Sequence, residues 1–172
     1  MSKDYDAFER ISSQIGLLRD MNWGKIFENK PDPNREYLSG TGMALDPHCD
    51  APTREYIPGF QIFQCVENTC EGGESIWVDA FHIAKLMQIE HPQEYQLLAT
   101  VPWEYANRAQ GSHFRWNAPI CDWDRNGEIQ SVRDIMWLRE PLRVDYSLAP
   151  KMFAAYKLCL LYTSPSPRDE QS

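Results

Sequence analysis

Asp46-Pro47-His48-Cys49-Asp50-Ala51-Pro52-Thr53-Arg54 is the stretch from which the fold and the chemistry of this chain are read. His48 and Asp50 are two residues apart, and alternate residues of an extended segment point to the same side. An imidazole and a carboxylate placed in this way make two of the three donors in a 2-His-1-carboxylate facial set, which holds iron(II) and leaves coordination positions open. A bare His-x-Asp triplet also occurs on ordinary turns, so the surrounding sequence has to decide between the two.

Working outward, the local signals alternate between short strands and helices. Upstream, Tyr5 to Ile15 places Phe8, Ile11 and Ile15 on one helical face. Leu17-Leu18-Arg19 and Met43 to Leu45 read as short strands, and the Trp23 to Tyr37 loop between them is rich in Pro, Asn and Asp. Downstream, Pro58-Gly59 suits a type II turn, and Phe60 to Val66 alternates as a strand does. Gly72-Gly73 reads as a tight turn and Ser75 to Val78 as a strand. Asp79 is a good N-cap for a helix from Ala80 to Glu90. Pro92 opens a second helix, Gln93 to Ala99. Val101 to Tyr105 and Ser112 to Ile120 read as strands. Asn126-Gly127 between Ile120 to Trp123 and Glu128 to Val132 signals a hairpin. Pro150 opens a helix that runs to Leu158. Short strands with helical inserts suit a mainly β, α+β chain of the jelly-roll or double-stranded β-helix kind.

Three further runs follow the His48 stretch: Pro58-Gly59-Phe60-Gln61, then Gly72-Gly73-Glu74-Ser75, then Val78-Asp79-Ala80-Phe81. In this order and spacing the sequence from Ile15 to Leu158 resembles the Fe(II)/2-oxoglutarate dioxygenases related to taurine dioxygenase. It looks most like their γ-butyrobetaine and trimethyllysine hydroxylase branch. The resemblance implies an incomplete double-stranded β-helix in which His48 and Asp50 are metal ligands and the Ser75 hydroxyl contacts 2-oxoglutarate. It implies Fe(II) as the cofactor, 2-oxoglutarate as co-substrate and ascorbate as reductant, acting on a small metabolite of the γ-butyrobetaine kind, as in carnitine biosynthesis. In that branch an aromatic cage holds a trimethylammonium group, because a quaternary cation over a desolvated ring face gains roughly 1 to 2 kcal/mol. Trp23 and Tyr37 are the candidate rings here, with Phe27 beside them; core or lid packing is the competing role for each. The chain departs from the family at Cys49, where Thr or Ser is usual, at Gln64, where His is usual, and at Ala80, where Gly is common. These departures weaken the substrate assignment more than the metal assignment.

The resemblance also places a third ligand, a histidine, far beyond Asp50, near an arginine that pairs with the distal carboxylate of 2-oxoglutarate. His82 and His91 fall on or beside a helix, and His113 lies too close in sequence, so none of them fills that place. Arg139 and Arg143 read as surface or strand-edge charges. The expectation is therefore a partial catalytic domain, inactive by itself, with two of its three ligands. A non-catalytic β-roll binding module is the alternative from a different functional class. Cys65 and Cys70 lack a second pair and read as ordinary thiols.

The composition sets the outer bounds. A chain of 172 residues with 42% apolar and 12% aromatic content is globular rather than disordered. A net charge of -8 without a Lys/Arg cluster argues against a nucleic-acid surface. The sequence has neither an apolar run long enough for a membrane span nor the leading residues of a signal peptide. Five cysteines without a close framework suit reduced thiols and a cytoplasmic setting. A small-molecule substrate and a homodimeric parent complete the expectation. From Cys159 the character changes to a Ser/Pro run that matches, residue for residue, one reading frame of a sequencing adapter. Residues 1–158 are thus expected to form one partial domain, and residues 159–172 a non-native, disordered tail.

Overall fold

Three helices and two hairpins surround one apolar core in the computed structural model, which describes residues 5–21, 24–28, 44–67, 69, 71–72, 74–109 and 111–163. Trp23, Tyr37, Met43, Cys70, Gly73 and residues 164–172, all singled out from the sequence, lie outside the described residues. The chain divides into two compact units. One comprises residues up to Asp46 together with Pro58–Ser75; the other comprises Pro47–Ile57 and everything from Ile76 onward.

In the first unit, helix α1 (Tyr5–Ser12) stops three residues short of the expected Ile15. The Ser13 hydroxyl donates back to the Glu9 carbonyl at 2.7 Å. The next two amides close tighter turns onto Ile11 and Ser12. Serine competes with the helical backbone in this way, which is why a serine pair ends a short helix readily. Ile11 and Ile15 remain exposed. The strands expected at Leu17 to Arg19 and Phe60 to Val66 form no ladder among the described residues. The alternating pattern of Phe60–Val66 carries no paired neighbour there, and a strand exists only through pairing. Pro58-Gly59 is a bend rather than a type II turn, because Gly59 does not take the positive φ that the second central position requires. Gly72 does adopt a positive φ of 85°.

The second unit follows the sequence more closely. Helix α2 (Ala80–Glu90) starts where Asp79 caps it, the carboxylate accepting from the His82 amide at 2.9 Å. Helix α3 (Pro92–Thr100) begins on Pro92, whose missing N–H is one a first turn leaves unbonded in any case. Strands β1 (Trp103–Ala109) and β2 (Ser112–Ala118) form an antiparallel hairpin with Trp103 opposite Ala118. Strands β3 (Cys121–Trp123) and β4 (Ile129–Val132) form the second hairpin. Its turn is built by Asp124, which accepts from the Asn126 and Glu128 amides, and by Gly127 at φ 80°. A 3-10 turn, Met136–Leu138, precedes helix α4 (Ala149–Thr163). That helix passes Leu158 without a break, so a helix end at Leu158 is not found. Cys159 is buried, and Tyr162 packs edge-on to His91 and bonds to Glu90. The apolar run Cys159-Leu160-Leu161-Tyr162 simply continues the helix, as Leu residues favour.

Helices α2, α3 and α4 pack on one another, with β4 against α2 and β3 against α3. Met87, Leu98, Tyr105, Ile120 and Met152 are fully buried at the centre. The result is a mixed structure of helices and small antiparallel sheets. Among the described residues no helix is long and apolar enough to cross a membrane.

Candidate metal centre

The His48 stretch forms an irregular strap rather than the strand expected from its spacing, and it lies along the segment that follows β4. The Cys49 amide donates to the Asp134 carbonyl at 2.7 Å, and the Asp134 amide donates to Cys49 Sγ at 3.2 Å. This reciprocal pair ties the residue between the two candidate ligands to the core. Thiols are weak acceptors, and Ser or Thr in this place would offer an oxygen for the same bond. Burial pushes the Cys49 thiol up to about 11, so the sulfur stays protonated across the ordinary range. Past Asp50 the chain turns at Ala51, whose φ of 54° lies in the left-handed region. The Arg54 amide closes that turn on the Ala51 carbonyl at 3.1 Å. Pro52 and Thr53 are buried beneath it.

One side chain holds the turn from below. Arg133 is 1% exposed, and its guanidinium donates to the carbonyls of Pro52 at 3.3 Å, Arg54 at 2.7 Å and Glu55 at 2.5 Å. Asp122 supplies a countercharge 3.5 Å from Nη2. A buried cation costs several kcal/mol unless its donors are satisfied, and here main-chain oxygens satisfy most of them. Arg54 in turn lies 3.6 Å over the Phe114 ring, pinning the far end of the strap to β2. Asp134 is held from its other side: its carboxylate accepts from the Tyr156 hydroxyl at 3.1 Å and lies 3.5 Å from Arg139. Burial pushes the Tyr156 phenol up to about 12. The Tyr105 hydroxyl, fully buried, donates to the Arg133 carbonyl at 3.0 Å.

On this platform His48 Nε2 and Asp50 Oδ1 stand 3.7 Å apart. Nitrogen and oxygen donors sit about 2.0 to 2.2 Å from a first-row ion such as zinc, so two donors sharing one ion are at most about 4.4 Å apart. The pair fits a common ion on that measure. Both side chains are partly open to solvent, 25% and 35%, so other ligands can reach the same point. Trp137 stands edge-on to the imidazole at 5.0 Å and closes one side. Among the described residues no group of three or more His, Cys, Asp and Glu gathers at one point.

Ser75 is described, exposed, and belongs to the other unit. Trp23 and Tyr37 lie outside the described residues. His82 is exposed on α2 and His113 is exposed on β2. Arg143 is exposed, as its position suggested, but Arg139 is not a surface charge: its side chain is 5% exposed. Its guanidinium lies over the Tyr156 ring at 3.9 Å and the Trp103 ring at 4.8 Å. Sequence reasoning passed over Arg133, Asp134 and Trp137 altogether. The one local signal was a charged pair, Arg133-Asp134, set directly after a short strand.

The family described as taurine catabolism dioxygenase TauD, TfdA matches residues 4–154. A γ-butyrobetaine dioxygenase of Pseudomonas sp. (strain AK-1) is 34% identical over 147 residues, 86% of this chain and 38% of that protein. A mitochondrial trimethyllysine dioxygenase of Homo sapiens is 30% identical over 97 residues, 56% of this chain and 23% of that protein. The Rattus norvegicus trimethyllysine dioxygenase is 29% identical over 155 residues, 87% of this chain and 37% of its own length. The chain thus spans well under half the length of the curated relatives it matches.

Proposed function

The chain belongs to the taurine catabolism dioxygenase TauD, TfdA family, on the side that holds γ-butyrobetaine and trimethyllysine dioxygenases, and on that premise we propose that it carries part of the catalytic region of an Fe(II)- and 2-oxoglutarate-dependent dioxygenase. In this reading a small metabolite of the γ-butyrobetaine kind is hydroxylated, the whole protein has a double-stranded β-helix, and its setting is cytoplasmic. The observation that carries the proposal is the His48–Asp50 pair, 3.7 Å apart and part-open, on a strap tied to the core at Cys49.

His48 Nε2 and Asp50 Oδ1 would hold the ion, and a histidine from sequence outside this chain would complete the set. An ion held there would supply activation of dioxygen, with 2-oxoglutarate as the co-substrate that is decarboxylated. The residues of the chain hold and orient. Cys49 fixes the spacing between the two donors through its reciprocal bonds to Asp134. Trp137 limits how far the imidazole ring can swing. The hydroxyl of Ser75 is assigned to 2-oxoglutarate, and Trp23 and Tyr37 to the cationic end of the substrate. In this reading the chain alone binds Fe(II) weakly and turns nothing over.

The test is succinate release by the longer protein with Fe(II), 2-oxoglutarate, ascorbate and γ-butyrobetaine or a related betaine. Succinate formation that disappears in His48→Ala and Asp50→Asn is the expected result. A folded protein that forms no succinate with any betaine or carboxylate overturns the enzyme reading and favours a binding module.

A further inference from the structure

Arg133 has no part in the chemistry just described, yet its guanidinium makes three hydrogen bonds to the strap that carries the candidate pair. It lies about eighty residues away in sequence, is 1% exposed, and reaches three carbonyls within the four residues 52–55. Those carbonyls belong to the segment that begins directly after Asp50. Between them and Asp50 sits Ala51 at φ 54°. A left-handed alanine costs roughly 1 to 2 kcal/mol and persists only where the surroundings hold it. The Cys49 amide donates to the Asp134 carbonyl, and the Arg133 amide donates to the Ile120 carbonyl across the β3–β4 hairpin, so the base under the strap is itself fixed.

We propose that Arg133 is a positioning residue for the His48–Asp50 pair: its guanidinium holds the carbonyls of residues 52–55 so that Ala51 stays turned and the Asp50 carboxylate stays within ion-sharing distance of His48. The inference rests on the metal reading of that pair. Three features suit arginine to this task. Its fork has five donors in fixed geometry. It cannot lose its charge. Main-chain oxygens are the acceptors, so the clamp acts on backbone position directly. A lysine in its place keeps the charge but, as a compact point donor, cannot span acceptors on three residues at once. Groups that orient metal ligands from behind typically change metal affinity about 10- to 100-fold when altered.

The experiment uses the chain as it is, with Mn(II) alone as the probe. Paramagnetic broadening of the His48 ring protons is followed by NMR, with His48→Ala giving the assignment and exposed His82 and His113 as internal references. Amide hydrogen exchange at Cys49 and Arg54 is measured on the same samples. The expected result for Arg133→Lys is that about tenfold more Mn(II) is needed for equal broadening of His48. Protection at Cys49 and Arg54 falls while protection in helix α4 does not. Leu98→Ala, a core variant in helix α3 with no bond to the strap among the described contacts, lowers stability without moving the Mn(II) requirement, which separates positioning from general loosening. Arg133→Met gives a larger effect where it folds, and Arg133→Lys decides where it does not. Broadening and exchange equal to wild type in Arg133→Lys overturn the proposal, as does an equal Mn(II) change in Leu98→Ala. If wild type itself shows no selective broadening at His48, the metal reading fails. The clamp is then decided by amide exchange: unchanged protection in Arg133→Lys overturns it.

Discussion

Raising the pH from about 8 to 10 destabilises the second unit through its buried thiols. Burial pushes Cys49 and Cys159 up to about 11 and Cys121 up to about 12, from an ordinary value of 9.0. In the unfolded chain each thiol gives up its proton near the ordinary value, whereas in the fold it keeps the proton two or three units longer. Above that ordinary value the native state binds more protons than the unfolded state, so the free energy of unfolding falls as pH rises. The loss is absent below about pH 9, grows by about 1.4 kcal/mol per pH unit per thiol, and stops once the folded value is passed. At about pH 10 each such thiol contributes on the order of 1 kcal/mol of destabilisation, and the three together a few kcal/mol, with Cys121 and Cys159 raising one another. An ordinary domain has only about 5 to 15 kcal/mol to lose. The buried phenols of Tyr105 and Tyr156 are shifted in the same direction and add to the loss higher in the range.

Urea unfolding under reducing conditions, followed by far-ultraviolet circular dichroism, reads this directly. The quantity of interest is the slope of stability against pH between about 9 and 10, not its value at neutrality. Cys121→Ala leaves a small cavity and lowers stability at every pH, but it should also remove at least about a third of the slope, because one of the three thiol protons is gone and its repulsion with Cys159 goes with it. Stability that stays flat from about pH 8 to 10 refutes the reasoning, since it would mean that these thiols ionise in the fold as they do in the unfolded chain. A wild-type slope in Cys121→Ala refutes the assignment to that residue.

Three further outcomes follow from single contacts. Asp79→Ala removes the acceptor for the His82 amide and should cost about 1 kcal/mol in urea unfolding, with α2 fraying at its start in amide exchange. Gly127→Ala forces a side chain onto a φ of 80° and should lower stability by roughly 1 to 2 kcal/mol, whereas the same change at Gly59 should cost less because its φ is not positive. Cys49→Ala leaves the Asp134 amide without its sulfur acceptor and should cost about 1 to 3 kcal/mol, most of it recovered by Cys49→Ser, as thermal unfolding of the three proteins will show.

What the sequence made legible was local. The Asp79 cap, Pro92 at a first turn and the Asn126-Gly127 hairpin each state their geometry within a few residues, and each is found in place. Phe60 to Val66 shows the opposite case. Its alternation describes one strand, but a strand needs a neighbour, and nothing in those seven residues names one. The end of α4 erred for a related reason. A change of composition at Cys159 suggested a break, while the helix depends on what the side chains meet, and Cys159 meets the core.

The candidate site was legible in its chemistry and illegible in its support. His48 and Asp50 announce themselves through residue type and spacing. Arg133 does not, because its partners are carbonyl oxygens, and a carbonyl leaves no mark on the identity of Pro52, Arg54 or Glu55. Asp134 is hidden in the same way on its main-chain side, where it meets Cys49, and reveals itself only through the side chains it draws in. Those side chains change the meaning of Arg139. A charge that the sequence assigns to the surface or a strand edge does sit at an edge, its backbone bridged to Tyr105, but its side chain is stacked on Tyr156 and Trp103 and paired with Asp134. The route from the core to the candidate pair therefore runs from α4 through Tyr156 to the Asp134 carboxylate, and from the Asp134 backbone to Cys49. The two candidate ligands are part-exposed, but the residue between them is tied to the backbone of Asp134, which is flanked by buried Arg133 and Ile135. That arrangement can keep a donor pair open to ligands from solvent without leaving its spacing to a mobile loop.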